Sequence, residues 1–117
     1  MSSDPTDRLF AALAHPARRR MLDLLMEIPG MGVNALASHF EFSRIAAMKH
    51  IDTLERADLV ISRKRGRVRH LYFNPVPIQQ IHNRWTTQYS AFWSQRVVDI
   101  KDRVEARGIA QEEPKRA

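Results

Sequence analysis

Two groups of residues between positions 43 and 73 have the types and spacing to bind a polyanion. Arg44, Ile45, Met48 and Lys49 stand at i, i+1, i+4 and i+5, the spacing that shares one helical face. They set a guanidinium, an amine and two apolar side chains side by side. That mixture reads base edges, since arginine pairs bidentately with guanine and apolar groups pack on the thymine methyl. The second group, Arg63, Lys64, Arg65, Arg67 and Arg69, surrounds Gly66. Charge gathered at one turn suits a phosphate backbone or a narrow minor groove. Residues 43–73 hold eight Lys or Arg against three Asp or Glu, a net +5 of the chain's +6, while residues 1–42 sum to −1 and residues 74–117 to +2. A solvated edge hairpin, charged to resist aggregation, would carry the same residues. Its place beside a second polyanion-suited group favours binding of double-stranded DNA.

Other chemistry finds little support. The 117 residues include no cysteine, which removes disulfides, thiolate metal sites and thiol nucleophiles. There is no glycine-rich phosphate loop and no Gly-x-Ser-x-Gly elbow, and the acids are scattered, so no enzyme is expected. The five histidines show no i, i+4 pair of the kind a helical zinc site uses. His15, before Pro16, reads as a cap or turn residue, His39 and His50 flank the helices of interest, and His70 and His82 read as incidental. No metal and no cofactor are expected. No apolar run approaches the roughly 18 residues of a membrane span. Met1-Ser2-Ser3-Asp4-Pro5 lacks the basic start and apolar stretch of a secretory signal, which points to the cytoplasm.

The elements that must position these residues follow from local signals. Asp4 caps a first helix with Pro5 at its start and Leu9, Phe10 and Leu13 on its apolar face. Pro16 ends that helix and opens a second, carrying Met21, Leu22 and Leu25, which stops at Ile28-Pro29-Gly30. A third runs from Val33 to Phe40, and Glu41-Phe42 forms a tight connection. Ser43 caps a fourth helix reaching about Asp58, with Ala47, Ile51 and Leu54 as its buried stripe. The last two make a helix-turn-helix. Val60-Ile61 and Leu71-Tyr72-Phe73 flank a hairpin turning at Gly66. One long helix from Pro77 to Arg107 follows, with Ile78, Ile81, Trp85, Tyr89, Phe92, Trp93, Val97, Ile100 and Val104 in steps that are mostly three and four. Thirty residues of helix, roughly 45 Å, exceed what one small core needs, so part of that face must meet a partner. The fold class is mainly α with a small β-hairpin: one domain over residues 1–110 and a polar, disordered tail over 111–117.

The stretches Ala12-Leu13-Ala14-His15-Pro16-Ala17-Arg18-Arg19-Arg20-Met21-Leu22, Ala46-Ala47-Met48-Lys49-His50-Ile51 and Gly66-Arg67-Val68-Arg69-His70-Leu71-Tyr72-Phe73-Asn74-Pro75 resemble, in order and spacing, the ArsR/SmtB-type winged helix-turn-helix repressors. The resemblance runs from about Leu9 to Ile100. It implies a homodimer joined through the first and last helices that binds a pseudo-palindromic operator, with His50 as a DNA-backbone contact; Ser43, at the start of the same helix, is a further candidate for such a contact. Leu9, Leu13, Ile81, Trp85, Tyr89, Phe92, Trp93, Val97 and Ile100 are then the dimer-interface residues. Relatives that sense metal use paired cysteines at the start of the third helix, where this chain has Gly32 and Asn34. Others bind zinc between the last helices, where Gln79, Gln80, Trp93 and Arg96 surround His82. The resemblance therefore brings no metal site with it, and any inducer is unidentified. The family's usual turn glycine is Glu41 here, which costs about 1–2 kcal/mol if that residue takes positive φ.

Two alternatives stay open at this level. Arg18, Arg19 and Arg20 suit phosphate contact or a solvated face. A winged helix can also serve as a protein-interaction or RNA-binding module. That reading would need exposed stacking aromatics on a strand, for which Tyr72 and Phe73 are the only pair.

Overall fold

The computed structural model describes residues 4–87 and 91–111, the side chains of 91–94 and 109–111 excepted. Its elements run in the order α1 (Pro5–Leu13), α2 (Pro16–Glu27), β1 (Met31–Gly32), α3 (Val33–Ala37), α4 (Arg44–Arg56), β2 (Val60–Arg65), β3 (Val68–Phe73), α5 (Val76–Thr86) and α6 (Ala91–Gln111). The chain divides into two compact units at Ile81 and His82.

Three helices start where a side chain supplies the missing acceptor for the first turn. Asp4 accepts from the Thr6 N–H at 2.8 Å, the His15 ring Nδ1 from the Ala17 N–H at 3.1 Å, and the Ser43 Oγ from the Ala46 N–H at 3.1 Å. Pro5 and Pro16 fill the first helical positions, where the lost N–H has no partner to miss. The expected stripe of α4 is fully enclosed, with Ala47, Ile51 and Leu54 all 0% exposed. They pack with Met21, Leu25, Leu36, Leu59 and Leu71 in one core. Burying each large aliphatic side chain stabilises by about 1.5–3 kcal/mol.

The sheet is larger than the hairpin expected from sequence. Its order is β1-β3-β2, all antiparallel, with Met31 opposite Leu71 and Gly32 opposite His70. A two-residue strand has no periodicity to read, so β1 left no local signal. The β2-β3 register pairs Arg65 with Val68 around Gly66-Arg67. Gly66 takes φ 62°, as a two-residue hairpin loop with glycine first requires.

Two boundaries differ from expectation. Helix α3 ends at Ala37 instead of Phe40, because His39 N–H bonds to Leu36 O and Phe40 N–H to Ala37 O, tightening the chain into i→i+3 turns. Glu41 carries no positive φ, so the turn avoids the cost a glycine replacement there would bring. Residues 77–107 form two helices, not one. The Thr86 hydroxyl donates to the His82 carbonyl at 2.6 Å, a back-bond that bends helices, and α5 stops there. The expected long C-terminal helix is α6, 21 residues. The expected tail lies, beyond Gln111, outside the described residues, as does Tyr89.

Among the described residues the one non-glycine with positive φ is Asp58, at 60°. The Leu59 N–H reaches Leu54 O and the Asp58 N–H reaches Glu55 O, both at 2.9 Å, the paired bonds of a helix end that favours glycine. Glycine relieves about 1–2 kcal/mol of left-handed strain and returns about 0.5–1 in chain entropy. Asp58→Gly should therefore raise the unfolding free energy by about 0.5–1 kcal/mol in urea melts, and Asp58→Val should lower it.

Candidate nucleic-acid interface

Helix α4 presents a mixed face opposite its buried stripe. Arg44 and Lys49 are exposed, and Ile45 is 70% exposed although it is a large aliphatic side chain. Met48 departs from its expected exposure: it is half-buried and packs on the core. One residue past Ala47 and three before Ile51, it falls at the margin of the buried stripe. Ser43 is exposed and acts as the helix cap.

The wing is positive along both strands. Arg63, Lys64, Arg65 and Arg67 are exposed. Arg69 differs, because its guanidinium is paired with the Glu55 carboxylate and lies 4.0 Å from Asp52. The other Glu55 oxygen accepts from the Ser62 hydroxyl at 2.8 Å. One carboxylate of α4 thus ties down both wing strands. Arg69 belongs to this brace, whereas Arg63, Lys64, Arg65 and Arg67 make no ion pair among the described residues. Glu55 and Asp52 escaped sequence reasoning because acids inside a basic stretch lower the count without showing what they hold.

The other flank of α4 is held by Arg18. Its Nε donates to Ala12 O at 2.8 Å, its Nη2 to Ala11 O at 3.1 Å and its Nη1 to His50 Nδ1 at 3.1 Å. Arg19 caps the Leu13 carbonyl at 2.7 Å. The last carbonyls of α1 thus receive donors and positive charge together. Arg18 and Arg19 serve the fold, whereas exposed Arg20 sits over the Phe40 ring at 6.0 Å. His50 is half-buried, its ring 4.6 Å from His15 and 5.2 Å from Phe42. A guanidinium only donates, so Nδ1 of His50 is the acceptor and its proton sits on Nε2. Burial first, then the charges of His15 and Arg18, hold the His50 pKa below its ordinary 6.5, and burial also lowers that of Arg18.

His70 has a defined role as well: its Nδ1 donates to the Gly30 carbonyl at 2.8 Å, securing β1 against β3. The aromatics that RNA stacking would need are half-buried, with Phe73 on the core and the Tyr72 hydroxyl 3.1 Å from where a Cβ on Gly30 would stand.

An open groove of about 580 Å³ separates the start of α3, the start of α4 and the wing, walled by Val33, Met48 and Val68 and rimmed by Arg44, Lys64 and Arg67. Asn34 also lines it and accepts from the Arg44 Nε at 2.6 Å.

Of the expected dimer residues, Leu9 is corrected: at 3% exposure it belongs to the core of its own unit and has no surface to offer a partner. Its i+3 partner Ala12, 0% exposed, fixes that side of α1 inward. Leu13 and Ile81 are half-buried against the same core. Trp85, Val97 and Ile100 are 55%, 63% and 60% exposed. Tyr89 and the side chains of Phe92 and Trp93 lie outside the described residues. No helix among the described residues is long and apolar enough to cross a membrane.

Comparison with known proteins agrees with this architecture. The chain matches the helix-turn-helix domain family over residues 13–63. It is 33% identical over 85 residues to the uncharacterized HTH-type transcriptional regulator YuzN of Bacillus subtilis, covering 68% of this chain and 92% of that protein. It is 27% identical over 77 residues to the transcriptional repressor SdpR of the same organism, covering 66% and 84%. A crystal structure of an ArsR family transcriptional regulator superposes with a TM-score of 0.66 at 29% identity, covering 80% of this chain and 95% of that one.

Two outcomes follow for the Arg18 cluster. Arg18→Ala strands two carbonyls and a ring nitrogen, so it should cost about 1–3 kcal/mol in urea unfolding, against little for Arg20→Ala. Because folding depresses the His50 pKa, the unfolded chain binds the extra proton first. This contribution to stability is complete above 6.5 and is lost as pH falls below it. His50→Asn, which keeps an acceptor but does not titrate, should flatten the stability profile between about pH 7.5 and 5.5.

Proposed function

The chain belongs to the ArsR-type winged helix-turn-helix transcriptional regulators, and from that premise we propose that it is a homodimeric repressor binding a pseudo-palindromic operator. The carrying observation is the pairing of an exposed Arg44, Ile45 and Lys49 on α4 with four exposed cations on an adjoining wing. In this reading α4 enters the major groove, with Arg44 and Lys49 bonding base edges, Ile45 against a thymine methyl and Met48 reaching only from the helix margin. Arg63, Lys64, Arg65 and Arg67 follow the backbone or the minor groove and supply affinity more than sequence information. Ser43 and the Nε2–H of His50 are left to contact phosphate at the helix start and flank. Arg69 acts from behind, holding the wing at a set distance from α4.

Dimerisation rests on the apolar residues left uncovered in one chain. Val97, Ile100 and Val104, each at least 60% exposed, recur at three and four along α6. Trp85 on α5 is 55% exposed. A solitary exposed aliphatic needs no explanation, but a repeated stripe does. Two copies joined through α6 would present two reading helices to successive major grooves, about 34–36 Å apart. Leu13 and Ile81 would contribute at the margin. SdpR is a repressor, which supports that sign of regulation here.

The deciding experiment is a mobility-shift titration of the chain on its own promoter region against random duplex of equal length. Tighter binding to the promoter is expected, and equal binding would refute the proposal. Replacing Arg65 and Arg67 together by Ala should weaken all duplexes alike and reduce the slope of log affinity against log salt by about 2. Val97→Asp with Ile100→Asp should shift the chain from dimer to monomer in sedimentation velocity.

A further inference from the structure

We infer that Asn34 is a positioning residue for base reading: from α3 it aims the Arg44 guanidinium and so sets the preference at one base pair. The inference rests on the DNA-reading role proposed for α4.

An exposed arginine side chain has rotamer freedom that is lost when it docks on a base. Here part of that freedom is already removed. The Asn34 Oδ1 accepts from Arg44 Nε at 2.6 Å. With Nε engaged toward α3, the free edge of the planar guanidinium is its Nη1 and Nη2 pair, a fork that matches the O6 and N7 acceptors of guanine.

Three observations make this contact more than a chance surface bond. The backbone beneath Asn34 is fixed, because Met31 and Gly32 pair with Leu71 and His70 and the adjoining Val33 is only 7% exposed. Arg44 is equally fixed at its base, one residue after the Ser43 cap. The groove around the two side chains is otherwise hostile to a free guanidinium. Arg44, Lys64, Arg67 and Arg69 line it, and Asn34 brings the only side-chain oxygen among its lining residues. Without that acceptor, repulsion from the wing would push Arg44 off the reading face; with it, a neutral group holds the cation and adds no charge that would repel phosphate.

The test uses the full chain. Selection from a random duplex library defines the sequence preferred by the native protein, and affinities are then measured for that duplex, its single-base variants and random duplex. Asn34→Ala should lose about 3- to 10-fold discrimination at the same base pair as Arg44→Ala, part of the full worth of a bidentate contact. Its affinity for random duplex, salt slope and urea midpoint should stay within about twofold or unchanged. Asn34→Asp, which keeps an oxygen acceptor, should retain discrimination at that base pair. Native discrimination in Asn34→Ala, with loss in Arg44→Ala, would overturn the inference while leaving the α4 reading intact. Uniform weakening on every duplex would also overturn it, by making Asn34 a phosphate contact. Unchanged discrimination in Arg44→Ala would remove the α4 reading itself and the inference with it.

Discussion

Everything on the candidate interface depends on how α4 is held, since a helix that offers one face to a ligand must be gripped by the rest. Apolar burial supplies the grip: Ala47, Ile51 and Leu54 are each 0% exposed. It fixes rotation about the helix axis less tightly, because packed methyl groups are not directional. Direction comes from two polar anchors on opposite flanks. Arg18 holds His50 while capping the end of α1, and Glu55 holds Ser62 and Arg69 of the wing. Hydrogen bonds to charged groups contribute about 1.5–3 kcal/mol each, comparable to one buried aliphatic side chain. Burial therefore dominates adhesion, and the anchors dominate orientation.

The same anchors sort the positive charge into two kinds. Arg18, Arg19 and Arg69 are engaged with carbonyls, a ring nitrogen or carboxylates, and so belong to the scaffold. Arg63, Lys64, Arg65 and Arg67 stand exposed and constitute the surface field of the wing. A net +5 over residues 43–73 understates this division, because the acids of α4 cancel charge in the count while they position the remainder in space. Electrostatic attraction of this type falls with salt and is indifferent to sequence. In the proposed reading, selectivity comes from the mixed face of α4, where Ile45 remains 70% exposed.

The start of α3 acquires a use of its own in this arrangement. Where metal-sensing relatives have cysteines, Gly32 is the extended residue before α3 and pairs with His70, and Asn34 bonds to Arg44. Both positions are thus tied to the sheet and to α4.

The sequence by itself determined what is decided within about one helical turn or one hairpin. Asp4, His15 and Ser43 cap helices because their acceptors reach N–H groups two or three residues on. The stripe of α4 follows from the 3.6-residue period, and Gly66 turns the hairpin because it alone accepts φ 62° cheaply. Those signals sufficed for the mainly helical winged architecture and for exposed Arg44, Ile45, Lys49 and most of the wing. Only the tertiary structure decided which basic residues were free. His50 is 32 positions from Arg18, His70 is 40 from Gly30 and Arg69 is 14 from Glu55, and such pairs leave no periodic mark. Leu9 reads as well for an outer face as an inner one until α1 is packed, and Met48 sits at a margin that only the core's extent defines. Periodicity reports which face of an element is apolar. What that face meets is settled by contacts between residues far apart in the chain.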